Sequence, residues 1–119
     1  MEKKYERKAL KNKSYLFALE IVKLCRELSK INKEYVLLNQ LLKAGTSIGA
    51  NIREAEFAQS KADFISKMSI ALKEAAESEY WIMLLRDASY INNDTALKML
   101  NQNTEILKML ISTVKKSKE

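Results

Sequence analysis

Apolar positions recur at alternating steps of four and three along most of this chain, the spacing of helices packed lengthwise against one another. Residues 14–31 place Phe17, Ile21, Leu24, Leu28 and Ile31 on one stripe, with Glu20, Lys23, Arg26, Glu27 and Lys30 off it. Ser14 reads as the N-cap of that helix, because its hydroxyl can accept a bond from a free first-turn amide. A second helix is expected over residues 34–59, with Leu37, Leu41, Ala44, Ile48, Asn51, Ala55 and Ala58 on its seam and Gln40, Ser47 and Glu54 every seventh residue along the flank. The third, over residues 61–91, carries Phe64, Met68, Ala71, Ala75, Ser78, Ile82 and Leu85. Ser60 is its cap, and Asp63 imitates a capping box. After a stop and restart at Asn92, Asn93 and Asp94, a fourth helix over residues 94–116 has Leu97, Leu100, Thr104, Leu107, Ile111 and Val114 on its seam, widened by Met99, Ile106 and Leu110. No strand-like alternation appears.

Three short connections force successive helices to be antiparallel neighbours, so the pattern predicts an all-α, up-down-up-down four-helix bundle. Its spine is the second helix, where Ala44, Gly45, Ser47, Gly49 and Ala50 strip bulk from the surface. Each glycine costs roughly 1 kcal/mol against alanine inside a helix, which argues that a neighbour comes close here. The alanines and serine of the third helix are the expected counterpart. Asn51, on the seam, is expected to set helix register, as a lone seam asparagine does in coiled coils. Residues 80–85, Tyr-Trp-Ile-Met-Leu-Leu, are apolar around the full circumference of a helix. One face must then point away from its own core, and Tyr80, Trp81 and Leu84 are read as a subunit interface.

At 119 residues, 47% hydrophobic and 30% charged, the chain has the size and composition of one globular domain. Proline is absent, and the two glycines both lie in the spine. The single Cys25 allows no internal disulfide and is expected in the core. No apolar run nears the roughly 20 residues that span a bilayer, and no signal-peptide pattern follows the N-terminus. A cytoplasmic protein with no membrane partner is expected.

The net charge of +6 is unevenly placed. Residues 1–13, read as a basic segment ahead of the bundle at 14–119, carry Lys3, Lys4, Arg7, Lys8, Lys11 and Lys13 against Glu2 and Glu6, and the C-terminus adds Lys115, Lys116 and Lys118 against Glu119. Up-down-up-down topology brings the first helix's start and the fourth helix's end to the same pole. These lysines and Arg7 are the candidate nucleic-acid contacts, tracking phosphates without reading sequence.

Catalytic candidates are few. With no histidine and one cysteine, the chain cannot write the Glu-x-x-His pairs of di-iron bundles or a cysteine zinc site. Gly45 and Gly49 sit inside a helix, not in a phosphate loop after a strand. Glu54 with Glu74 or Glu77 is the best carboxylate pairing, and polar or basic partners explain it more simply. No enzyme activity, cofactor, metal or small-molecule substrate is expected.

Several stretches together resemble a known family. They are Lys13-Ser14-x-x-Phe17-Ala18, the run from Gln40 to Ala55 with its Ser-Ile-x-x-Asn-Ile-x-Glu core at Ser47–Glu54, Ser60-Lys61-x-Asp63-Phe64-x-x-Lys67, and Ala71-x-Lys73-Glu74-Ala75-x-Glu77-x-x-Tyr80-Trp81. The family is that of bacterial four-helix bundle proteins, also called 23S rRNA-intervening sequence proteins. The resemblance implies an antiparallel four-helix subunit that assembles as a homo-oligomeric, five-membered ring. It also implies likeness to the accessory variability protein of diversity-generating retroelements, a basic ring thought to contact nucleic acid and a reverse transcriptase. The expected function is that of a non-enzymatic oligomer binding RNA or DNA backbone, with a protein-protein adaptor as the alternative.

Overall fold

The computed structural model describes residues 2–32 and 35–119, and for Glu2 and Lys3 the backbone alone. Four helices follow one another: α1 (Glu2–Ile31), α2 (Tyr35–Ala55), α3 (Lys61–Asp87) and α4 (Asn93–Lys118). They pack in chain order around a square, α1 on α2, α2 on α3, α3 on α4, with α4 closing on α1 through the slightest of the four seams. Cross-links fix the directions. Cys25 reaches the Leu38 carbonyl while Lys11 reaches Glu56, and along the closing seam Glu6, Lys13 and Glu20 meet Lys116, Glu105 and Lys98. α1 is therefore antiparallel to both α2 and α4, and the short connections at 56–60 and 88–92 turn α3 back against its neighbours, so the topology is up-down-up-down.

The first helix starts much earlier than the pattern predicts. Ser14 is not a cap: it lies mid-helix, 1% exposed, with its Oγ donating to the Lys11 carbonyl at 3.0 Å. Leu10, one turn before it, is in the core. Residues 2–13 are thus the first three turns of α1, and Ile31 at its other end is exposed. At 1.5 Å per residue a 30-residue helix is about 45 Å long, and the molecule's long dimension is 45 Å. With 21 residues, α2 is shorter, so the start of α1 overshoots it.

Helix ends follow local chemistry. Ser60 caps α3 as expected, accepting from the Asp63 amide at 3.0 Å while the Asp63 carboxylate accepts from the Gln59 amide at 3.2 Å. Asn92 caps α4, its Oδ1 accepting from the Thr95 amide at 2.7 Å. The third helix stops at Asp87 rather than 91. Ser89 takes the left-handed conformation, φ 65°, and the amides of Ser89 and Tyr90 return to the Arg86 and Leu85 carbonyls, the Schellman arrangement with serine where glycine is usual. The second helix ends at Ala55, four residues before the predicted 59.

The seam of α3 is the predicted one from Met68 to Leu85, with Phe64 half-buried at its start. Two other seams are rotated. In α2 the buried positions include Leu38 and Ile52 in place of Leu37 and Asn51. Asn51 is half-buried, and its amide donates to its own helix at the Ser47 carbonyl, 2.8 Å away, so it sets no register. In α4 the core takes Ala96, Met99, Asn103, Ile106, Leu110 and Val114, which leaves Leu97 and Ile111 exposed. Asn103 does what was expected of Asn51: it is wholly buried, and its Nδ2 donates to the Ala75 carbonyl of α3 at 2.8 Å.

The glycines face α1, not the alanines of α3. A Cβ at Gly45 would stand 2.9 Å from Cγ1 of the wholly buried Ile21, whereas one at Gly49 would meet the Ser14 carbonyl and hydroxyl at an ordinary 3.5 Å. The two positions should respond oppositely to alanine. Gly45→Ala forces overpacking, which costs about 1–3 kcal/mol and outweighs a helix-propensity gain of about 1 kcal/mol. Gly49→Ala keeps the gain alone. Thermal melts should show a lower Tm for Gly45→Ala and a raised one for Gly49→Ala; a raised Tm at both would mean that α1 does not need the notch.

Candidate nucleic-acid interface

The overshoot of α1 builds the basic pole. Lys4, Lys8 and Lys11 lie at i, i+4 and i+7 on one side of the helix, with Lys4 and Lys8 exposed. Lys115 and Lys118 are exposed in the last turn of α4, beside α1's start through the 3.4 Å pair of Lys116 with Glu6. Both basic ends of the chain therefore share a pole. The predicted contacts are not equally free. Lys11 is held by Glu56 at 3.2 Å, Lys116 by Glu6, and Lys13 by Glu105 at 2.8 Å, further down the α1/α4 seam. Lys4, Lys8, Lys115 and Lys118 make no ion pair among the described residues; the side chain of Lys3 lies outside them.

Beneath the overshoot is a cleft of about 640 Å³ between the start of α1, the end of α2 and the start of α3. Ile52, Ala55, Phe64 and Met68 form its apolar part, and Lys4, Tyr5, Arg7, Lys8, Lys11 and Glu56 complete its lining. The Arg7 guanidinium lies over the Phe64 ring, 4.6 Å from the centroid, a contact worth about 0.5–1 kcal/mol where exposed. Tyr5 is 77% exposed. Phe64 was not among the predicted contacts. It is 57 residues from Arg7 in sequence, and the cue that links them is the helical continuation of α1 back to Glu2.

Of the polar residues singled out on α2 and α3, Gln40, Glu74 and Glu77 do gather, with Lys43, Lys73 and Trp81, around a cleft of about 260 Å³ between the two helices. Glu54 is not with them. It is exposed, ten residues beyond Ala44 and about 15 Å further along α2. Ser47, Asn51 and Ser78 bond back to their own helices, so no polar network crosses here. Partial burial, and the Glu77 carboxylate beside it, push Glu74 above the ordinary carboxylate range, against the pull of Lys43 and Lys73. Among the described residues no cluster of three or more His, Cys, Asp or Glu side chains is placed to hold a metal. Cys25 is buried in the core, and burial pushes its thiol up to about 11. At the shoulder of α3, Tyr80 is 59% exposed and meets Trp81 edge-on, centroids 5.0 Å apart. Trp81 and Leu84 are half-buried.

The four antiparallel helices and their cationic pole make an all-α four-helix bundle, and among the described residues no helix is long and apolar enough to cross a membrane. The family model for the 23S rRNA-intervening sequence protein matches residues 6–112, and the chain belongs to that family. A crystal structure of a protein of unknown function from the S23 ribosomal protein family of Bacteroides thetaiotaomicron is similar throughout: 52% identical, covering 92% of this chain and 98% of that one, with a TM-score of 0.90. No curated protein matches the chain.

A raised Glu74 means that the folded state keeps a proton which the unfolded state releases, so stability falls as pH rises between the unfolded value and the higher folded one. Glu74→Gln removes that loss. The variant should melt above the parent at about pH 7, and the gap should close as pH falls below the ordinary glutamate value, toward about pH 3; parallel curves across that range would show Glu74 ionising as it does in water.

Proposed function

We propose that this protein is a non-enzymatic, homo-oligomeric nucleic-acid-binding protein that takes the phosphate backbone of RNA or DNA at its basic pole. The observation that carries the reading is where α1 puts its cations. A helix N-terminus is already the positive end of the backbone dipole, and lysines there work against it by about 0.3–1 kcal/mol each within the first turn. At the end of α4 the dipole itself accounts for Lys115, Lys116 and Lys118. At the start of α1 it argues the other way for Lys4, and Lys8, one turn further on, makes no ion pair among the described residues, so these two are left for an external anion while Arg7 stacks on Phe64. The family's association with ribosomal RNA intervening sequences points in the same direction.

Oligomerisation belongs to this reading. The shoulder of α3, with Tyr80 exposed and Trp81 and Leu84 half-buried, would supply an apolar contact, and the five-membered ring implied by the family resemblance could gather the basic poles on one side. The same shoulder supports the second reading, an adaptor whose partner is a protein.

Filter or gel assays with RNA and DNA should show binding at about 50 mM salt and steep loss toward about 200 mM. Replacing Lys4 and Lys8 together by Glu should weaken binding and flatten the log–log salt slope by about one unit for each lost phosphate contact. No retention at the lower salt would reject the nucleic-acid reading and leave the adaptor. For the assembly, Tyr80→Glu should lower the mass found by sedimentation; a monomeric parent with an unchanged variant would remove the α3 shoulder as the contact.

A further inference from the structure

A backbone-binding surface needs charge and nothing else, yet this pole encloses a cleft with an apolar floor. Resting on the nucleic-acid reading above, we infer that the cleft between the overshooting start of α1 and the beginning of α3 receives an unpaired base of a single-stranded nucleic acid. The flanking phosphates then lie on Lys4 and Lys8.

Volume, chemistry and charge agree on that occupant. At about 640 Å³ the space falls within the range of sites that enclose small organic groups. Its apolar lining is chiefly the half-buried Phe64, with only the edges of the core residues Ile52, Ala55 and Met68 reaching it, and it offers a base an apolar contact and a phosphate none. Flat surfaces stand at its edge: the Arg7 guanidinium over the Phe64 ring, and the exposed Tyr5 ring. Aromatic rings and guanidinium planes are the groups on which splayed bases stack. Four cations line the cleft against one acid, Glu56, whose carboxylate is already occupied by Lys11. A ligand with a planar apolar part between two anions fits this arrangement. A duplex does not, because its bases are stacked and paired out of reach.

The test uses the full chain and fluorescence anisotropy at about 50 mM salt. The labelled probes have equal length, about 12 nucleotides: a thymidine strand, a uridine strand, an abasic strand with the same phosphates, and a duplex. The parent should bind the base-bearing strands at least about 5-fold more tightly than the abasic one, the low end of what one aromatic–base stack provides, and more tightly than the duplex. Phe64→Leu keeps an apolar side chain in the seam but removes the ring. It should pull the ratio of base-bearing to abasic affinity toward one, and the ratio is the readout because any change in Arg7 placement acts on both strands alike. Tyr5→Ala, at an exposed position, should lower the ratio without touching the core, so the test does not depend on how well Phe64→Leu folds. Equal affinity of the parent for base-bearing and abasic strands overturns the inference and leaves backbone binding intact. So does a ratio unmoved by both variants. Failure of the parent to bind any probe overturns the nucleic-acid reading itself, and this inference with it.

Discussion

The approach of α1 to α2 at Gly45 is the constraint on which the rest of the molecule turns. Ile21 occupies the space that a Cβ would need, and one turn away Gly49 backs onto Ser14. These contacts seat α1 against α2, tightly at Gly45 and at ordinary van der Waals distance at Gly49. Because they fall near the middle of a 30-residue helix, the first three turns run on past the end of the 21-residue α2, and the cationic side chains stand above α3's start. Were α1 seated one turn lower, Leu10 would leave the core and the cleft under Lys4 and Lys8 would close.

A second constraint orients α4. Asn103 is wholly buried, and its bond to the Ala75 carbonyl is a polar link across the α3/α4 seam. A buried amide tolerates few placements, because any rotation of α4 would break this bond inside an apolar environment. The choice leaves Leu97 and Ile111 facing outward. It also leaves Asn103 Oδ1 without a protein partner among the described residues, so this position trades some stability for a defined orientation.

Much of the fold was legible in the hydrophobic pattern, and what was not has specific causes. The number and type of helices, their topology, the cap at Ser60, the break beginning at Asn92, and the seam of α3 all follow from residues that act locally or from one uncontested apolar stripe. In α4 two apolar stripes lie one position apart, and the true one contains an asparagine. A reading that rewards apolar residues steps to Thr104 and its neighbours, and no spacing rule corrects it. In α2 the buried sector faces α1 as well as α3, so it is broader than a single seam and displaces Asn51 to its margin. At the N-terminus, dense charge hid Leu10 and made Ser14 look like a beginning. The positive pole itself was legible, since it needs topology alone; the cleft was not, since it depends on how far α1 overshoots and on Phe64 arriving from another helix.

The pole that holds both chain ends has a counterpart 45 Å away, where described charges include the couples Lys30 with Glu27 and Arg86 with Asp87. The subunit is therefore a rod with Lys4, Lys8, Lys115 and Lys118 gathered toward one tip. Rotation about a shared axis cannot reverse such a rod, so a cyclic assembly whose axis ran along the helices would carry every charged tip on one face.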